Sequence, residues 1–147
     1  MALFVSLISC QGSQSQEKWT KDMQISTYNG GGRVPESKTV IIKDSSGRYI
    51  HWANQKKDTF NFSLSQQELN DLMKEINAGH FRNIVSSETG NIAYDKPTTS
   101  VEFKWENKTH EVAIGATEEI KGGDSGFYKL YNYILSLAAK KTGQATQ

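Results

Sequence analysis

Hydrophobic and polar residues alternate in several short segments of the first half of the chain, which is the pattern of strands that bury one face. The first segment covers residues 24–28, and the second, 39–43, is rich in β-branched residues. A polar turn at 44–47 leads into 48–52, so these two segments predict an antiparallel hairpin. Residues 59–64 alternate again. The pattern therefore predicts three or four strands before the first helix.

The next segment changes to the spacing of an amphipathic helix. Ser65 and Glu68 have the spacing of a capping box, in which each side chain accepts a hydrogen bond from the backbone N–H of the other. We therefore expect Ser65 to be the N-terminal cap, and Gly79 to mark the end of the helix. The apolar stripe between them consists of Leu69, Leu72, Met73 and Ile76.

A polar loop over residues 86–97 separates this helix from a second group of elements. Residues 100–105 and 110–114 alternate on either side of a polar turn, which predicts two more strands in a hairpin. A second apolar stripe with helical spacing starts at Phe127. Asp124 and Ser125 stand just before this stripe, where a side-chain oxygen accepts hydrogen bonds from free N–H groups, so one of them is predicted to cap the second helix, and Asp124 is the preferred residue.

Strands linked by hairpins and followed by helices are typical of an α+β fold. We expect an antiparallel sheet of about five to six strands with two helices packed on one face. The chain has 147 residues, which agrees with a single domain. That domain is predicted to cover residues 23–141, and residues 142–147 are expected to form a disordered tail.

The only cysteine, Cys10, follows an apolar run and precedes a segment rich in Gln and Ser. A single cysteine excludes an intrachain disulfide and a multi-cysteine zinc site. The sequence Leu-Ile-Ser-Cys at 7–10 resembles the lipobox of bacterial lipoproteins. This resemblance implies a signal peptide over residues 1–9, a lipid on Cys10 after cleavage, and a flexible tether over residues 10–22.

The lipobox resemblance also implies a location. The mature chain would be lipid-anchored in a bacterial cell envelope through Cys10, with its domain in the periplasm or facing the outside. No Lys or Arg precedes the apolar run, whereas an export signal usually starts with positive charge, so the signal departs from the full pattern. The alternative is a buried N-terminal strand with an incidental cysteine. The run is too short for a transmembrane helix.

Charge and histidine positions argue against two classes of function. The chain has 17 basic and 16 acidic residues and a net charge of +1, without the one-sided basic stripe that binds a phosphate backbone. No nucleic-acid partner is therefore expected. His51, His80 and His110 lie in different predicted elements and lack the spacing of metal ligands, and His51 and His110 are expected on a solvated face of their strands. We expect no metal site and no cofactor.

Two motifs contain residue types that catalysis uses. Residues 123–126 read Gly-Asp-Ser-Gly, as around the nucleophile of trypsin-like proteases, but that fold needs a longer chain and a partner His and Asp. The position before a helix favours the capping role of Asp124 instead. In the loop before residues 100–105, Asp95 and Thr98 either structure the loop through nearby backbone or contact a ligand. No catalytic residue is predicted.

A glycine-rich segment follows the first predicted strand. We name it the glycine loop, and it consists of Asn29, Gly30, Gly31, Gly32 and Arg33. Three glycines permit left-handed backbone and close approach, which suits a turn. The segment is not a phosphate-binding loop, because it lacks the Gly-Lys-Ser/Thr ending and no helix follows. It is either a flexible hairpin loop or a loop that contacts a protein partner through Arg33.

The order of these features over residues 23–115 resembles a family of small uncharacterised lipoproteins of Bacteroidota. The shared motifs are the glycine loop, a Leu-Ser-x-x-Glu helix start at 64–68, Phe81 shortly after the helix, and Asp-x-Pro-Thr at 95–98. More distantly, the same order is similar to emfourin-type inhibitors of metalloproteases. The resemblance implies a lipoprotein domain and suggests protease inhibition without assigning an inhibitory residue.

Two functional hypotheses follow. In the first, the domain is a membrane-anchored binding module with a protein partner, for which a protease is one candidate. In the second, it is a small hydrolase or ligand-binding enzyme whose site is assembled only by folding. The absence of a nucleophile–base pair or metal spacing favours the binding module. A cleft that gathers Asp95, His110 and a glutamate would favour the enzyme.

Overall fold

The computed structural model describes residues 16–90, 95–121 and 125–144. The strands of this part are β1 Gln24–Gly30, β2 Glu36–Lys43, β3 Ser46–Ala53, β4 Lys56–Ser63, β5 Ser86–Glu88, β6 Thr98–Trp105, β7 Lys108–Ile114 and β8 Glu118–Ile120. The helices are α1 Gln66–Ala78 and α2 Ser125–Thr142, with a 3-10 turn at Phe81–Asn83. Six strands form one antiparallel sheet in the order β4-β3-β2-β1-β6-β7, and β5 pairs separately with β8.

The predicted α+β fold with a large antiparallel sheet is confirmed. The polar loop predicted at 86–97 is partly wrong, because β5 occupies its first residues. Strands β5 and β8 have three residues each and no hydrophobic alternation, so the strand period gives no signal for them. They are held at the edge of the sheet, where the Ala113 N–H of β7 donates to Ser86 Oγ at 3.2 Å.

One face of the six-stranded sheet carries the core. Ile25 of β1 lies opposite Ile42 on one side and Phe103 on the other, and Val101 lies opposite Val112. Opposed residues of neighbouring strands point to the same face, and all five of these side chains are buried. They join one cluster with the apolar stripes of α1 and α2. Both helices therefore cover the same face of the sheet.

Helix α1 begins as the sequence predicts. Ser65 Oγ accepts a hydrogen bond from the Glu68 N–H at 3.2 Å, and the Glu68 carboxylate accepts one from the Ser65 N–H at 2.9 Å. The capping box and the role of Ser65 are confirmed. Helix α2 begins at Ser125, directly after the predicted cap Asp124, which lies outside the described residues.

Helix α2 ends later than the predicted domain boundary. The sequence places the start of the tail at residue 142, but Thr142 is the last helical residue, and its hydroxyl donates to the Ala138 carbonyl at 2.8 Å. Gly143 has a left-handed φ of 68° and donates its N–H to the Ala139 carbonyl at 2.8 Å, which is a common helix ending. The helix end therefore includes the first residues of the predicted tail.

The chain before β1 also belongs to the domain. The sequence places residues 10–22 in a flexible tether, yet Trp19 is buried and its ring centroid lies 6.2 Å from that of Phe103. Nearby, Arg82 and Glu17 form an ion pair at 2.9 Å. The predicted tether is therefore wrong for its residues after Gln16, which pack against the domain. A single buried Trp among polar residues creates no periodicity, so the sequence pattern did not predict this contact.

A glycine in β3 makes room for an aromatic ring of the neighbouring edge strand. Gly47 lies opposite Phe62 in the pairing of β3 with β4. The Phe62 ring lies over Gly47, and a Cβ atom at that position would clash with the ring carbons. The missing side chain therefore lets Phe62 lie flat on the core face, which is one reason for glycine inside a strand.

We predict that Gly47→Ala lowers the free energy of unfolding by about 1–3 kcal/mol, because the new methyl group forces the Phe62 ring out of its position. Urea unfolding followed by circular dichroism measures the loss. Gly90→Ala is the matched control, since a Cβ there meets no atom within 4 Å. The control should stay within about 0.5 kcal/mol of the parent protein. Equal losses in the two variants would contradict this account of Gly47.

Candidate binding surface

Two loops that the sequence singles out meet at one end of the sheet. Arg33 of the glycine loop places its Nε 2.8 Å from Asp95 Oδ1. Gly32 lies against the same loop, where an added Cβ would be 2.7 Å from the Lys96 carbonyl oxygen. Gly31 and Gly32 have left-handed φ values of 82° and 62°, which glycine adopts without strain. Asp95 therefore structures its loop through Arg33, a residue far away in the sequence.

Strand β1 extends through Gly30, so Asn29 and Gly30, which the sequence predicts as loop residues, belong to the strand, and the loop itself begins at Gly31. Gly30 pairs with Thr98 across β1 and β6, and the side-chain amide of Asn29 donates to Thr99 Oγ1 at 2.7 Å. Thr98 packs closely against Gly115, the residue that follows β7. A Cβ atom added to Gly115 would lie only 2.7 Å from Thr98 Oγ1. The two loops thus form one continuous region. We call it the loop surface, and it consists of the glycine loop, Val34, Asp95, Lys96 and Thr98.

The charged groups of the loop surface lie in solvent. The side chains of Arg33 and Asp95 are 85% and 64% exposed, so their ion pair contributes only about 0–1 kcal/mol to stability. Val34 follows directly and is 40% exposed. An apolar side chain beside exposed charges fits the apolar centre and polar rim of a protein contact region. The ion pair joins the two loops at the surface without burying either side chain.

The N-terminal segment joins the domain at the opposite end of the sheet. Trp19 Nε1 donates to the Asp44 carbonyl in the β2–β3 turn at 3.0 Å, and the Glu106 N–H of the β6–β7 turn donates to Asp22 at 3.0 Å. A hydrogen bond from the Thr20 hydroxyl, and then the one from Glu106, lower the pKa of the Asp22 carboxyl. Strand β1 runs from one end of the sheet to the other. At 3.3 Å per residue, its length gives a distance of about 20 Å between the loop surface and the N-terminal segment.

His51 and His110 lie on the core face of the sheet and not on the solvated face that the sequence predicts. His51 stands two residues after the buried Tyr49, and its Nε2 lies 2.5 Å from Glu36 Oε1. His110 lies opposite a buried phenylalanine of β6, and its Nε2 is 2.9 Å from the Ile84 carbonyl oxygen. Histidine occurs on both kinds of face, so alternation alone does not assign it.

The cleft that the enzyme hypothesis requires is not formed by the described residues. Asp95 precedes the start of β6 at Thr98, whereas His110 pairs with Phe103. About 16 Å of strand separates these positions at 3.3 Å per residue. Within the part of the chain that the structure describes, no three His, Cys, Asp or Glu residues are grouped so that they could hold a metal ion.

Two predicted site residues lie outside the described ranges. They are Cys10, the predicted lipid attachment point, and Asp124, the predicted helix cap. None of the described helices has both the length and the apolar character that a membrane span requires. The lipid anchor and the cap at Asp124 therefore stay predictions.

A second surface, which no motif of the sequence marks, is the sheet face that points away from the helices. We call it the open face, and its larger apolar side chains are Tyr28, Ile41, Ile50 and Trp52. Tyr28 and Trp52 are among the most exposed large hydrophobic residues of the described chain. One signal was present: residues 40–42 are apolar at three successive positions, so both faces of β2 carry apolar side chains.

No model of a protein family matches the chain, and no curated protein matches it. The resemblances to Bacteroidota lipoproteins and to emfourin-type inhibitors therefore depend on the motifs alone and stay predictions.

We predict that Gly32→Ala costs about 2 kcal/mol or more of unfolding free energy, roughly twice the cost of Gly143→Ala. Both residues have left-handed φ, so alanine is strained at either position. Only at Gly32 does the added Cβ also meet the Lys96 carbonyl, whereas nothing lies within 4 Å at Gly143. Urea unfolding of both variants measures the difference, and equal costs would show that the two loops are not in close contact.

Proposed function

We propose that this protein is a binding module, lipid-anchored in a bacterial envelope through Cys10, which contacts a protein partner with its loop surface. The observation that carries the proposal is the ion pair between Arg33 and Asp95, which joins two loops of distant sequence into one exposed surface. Loops that are already ordered lose less conformational entropy when a partner binds than mobile loops do. The loop surface is therefore suited to recognition.

The position of the N-terminal segment supports the same proposal. Trp19 and Asp22 attach this segment to the turns at the end of the sheet opposite the loop surface. A lipid on Cys10 would hold that end towards the membrane and direct the loop surface away from it. Two or more acyl chains make a stable anchor. The proposed orientation leaves the loop surface accessible to a partner outside the membrane.

The alternative of a small hydrolase or ligand-binding enzyme has less support. The Asp95 carboxylate is paired with Arg33, and the His110 ring is bonded to the Ile84 carbonyl. General acid–base catalysis needs such groups within hydrogen-bond reach of one reacting site. In the described chain these two groups lie in separate regions, so the binding module is the function that the geometry favours.

The anchor is tested by metabolic labelling with radioactive palmitate in a bacterial host. We expect label on the wild-type chain and none on Cys10→Ala, because this cysteine is the only thiol of the chain. Ser13→Ala is the matched control, since it changes the neighbouring segment and keeps the thiol, and it should retain the label. Equal labelling of wild type and Cys10→Ala would remove the lipid anchor from the proposal.

The resemblance to emfourin-type inhibitors makes a thermolysin-like metalloprotease the first partner to test. We expect a lipid-free chain from Gln16 onward to inhibit such an enzyme at micromolar concentration. Val34→Asp should weaken inhibition by at least about tenfold, because a charge replaces an apolar contact. Tyr128→Asp is the control, since Tyr128 of α2 is 37% exposed against 40% for Val34. Equal loss in both variants, or no inhibition by the parent, would reject this partner.

A further inference from the structure

The open face has a charge distribution that divides it into two halves. On the half formed by β2, β3 and β4, the charged side chains are all basic, namely Lys43, Arg48 and Lys57. On the half formed by β1, β6 and β7, Glu102 lies opposite Glu111, and Lys104 lies 2.9 Å from Glu102. Arg48 is exposed and has no ion pair within the described chain. Glu102 and Glu111 are like charges placed opposite one another, which destabilises a sheet, so a basic group of a partner would relieve their repulsion.

The register of the strands arranges the open face in straight rows. From β4 to β7, one row consists of Asn61, Arg48, Ile41, Ser26, Glu102 and Glu111. The next row consists of Thr59, Ile50, Thr39, Tyr28, Ser100 and Ala113. The sheet has an even number of strands, so its midline runs between β2 and β1. Consider two copies packed face to face, with a two-fold axis between them that runs along this midline. Each row then lies against the same row of the second copy in reverse order, so that β3 faces β6 and β2 faces β1.

This symmetry makes the open face complementary to itself. Arg48 of one copy faces Glu102 of the second copy, and the two-fold axis repeats the pair. Large side chains also face small ones. The opposed pairs are Ile41 with Ser26, Tyr28 with Thr39, and Ile50 with Ser100. The small residues lie in a shallow depression of about 340 Å³, which Tyr28, Ile41 and Glu102 also line and which gives the large residues of the other copy space to pack.

We infer that the chain forms a two-fold symmetric dimer in which the open faces of two copies pack against each other. Six strands about 4.8 Å apart and about six residues long at 3.3 Å give a footprint of roughly 600 Å² per copy, or roughly 1,200 Å² in total. A specific interface needs roughly 1,000 Å². Packed sheets rotate by about 30° relative to each other, so the two-fold axis is inclined slightly to the midline, and a long arginine side chain can span the resulting offset.

The inferred dimer leaves Arg33, Val34 and Asp95 of the loop surface free and does not depend on the lipid anchor. These residues lie beyond the end of the sheet, whereas Gly30 and Thr98 lie at the edge of the open face, in the same row as Trp52. Because the axis runs along the strands, both copies direct their loop surfaces to the same end of the dimer. At the other end, the N-terminal segment of each copy attaches to its own domain near Asp44 and Glu106.

Sedimentation equilibrium of the full chain carrying Cys10→Ser tests the dimer. We expect a mass of twice 16.5 kDa. Arg48→Glu and Glu102→Arg should each raise the dissociation constant by at least about tenfold, because each places two like-charge contacts in the interface. The double variant Arg48→Glu/Glu102→Arg restores opposite charges and should recover most of the affinity. Lys140→Glu, an exposed charge reversal on α2, is the control and should leave the dimer unchanged.

Circular dichroism should show that each variant is folded before its mass is measured.

Ile50→Thr is a second, uncharged variant that keeps a β-branched residue in the strand and should also weaken the dimer. A monomer at all concentrations would overturn the inference. A dimer insensitive to Arg48→Glu, Glu102→Arg and Ile50→Thr would overturn the face-to-face geometry and indicate another contact, such as pairing through edge strand β4. Failure of the double variant to recover affinity would reject the Arg48–Glu102 contact.

Discussion

Burial of one face of the six-stranded sheet beneath two helices is the interaction on which the other features of this molecule depend. Strand side chains alternate, so the register that buries Ile25 against Ile42 and Phe103 also determines which residues point the other way. The same register pairs Gly30 with Thr98 and thereby brings the glycine loop to Asp95. A shift of one residue would expose the core face and separate the two loops.

Stability and recognition use different parts of the chain. The core is made of fully buried aromatic and aliphatic side chains, whose removal from water supplies most of the stabilising free energy. The loop surface is made of exposed groups, and the ion pair between Arg33 and Asp95 adds little to stability. Substitutions such as Val34→Asp should therefore alter binding while the domain stays folded. Gly32 is an exception, because its backbone conformation serves both the fold and the loop contact.

The two inferred contact regions are compatible because they occupy different sides of the sheet. The open face would be covered by a second copy, whereas the loop surface lies at the end of the strands. In the inferred dimer, two loop surfaces point in one direction and two N-terminal segments in the other. A partner with two matching sites would then bind the dimer more tightly, because the first contact raises the effective concentration for the second contact. Two lipid anchors on one dimer would also hold it more firmly to a membrane than a single anchor.

The sequence by itself determined the α+β class, the core strands, the two helices and the capping box at Ser65, because these depend on local periodicity and on contacts within one turn. It also singled out Asn29 to Arg33 and Asp95 to Thr98, because glycine and polar residues mark loops. Only the tertiary structure decided that Arg33 meets Asp95, that Trp19 belongs to the core, and that Arg48 and Glu102 share one row. These contacts join residues distant in the chain, and their formation depends on strand order and register, which no local pattern encodes.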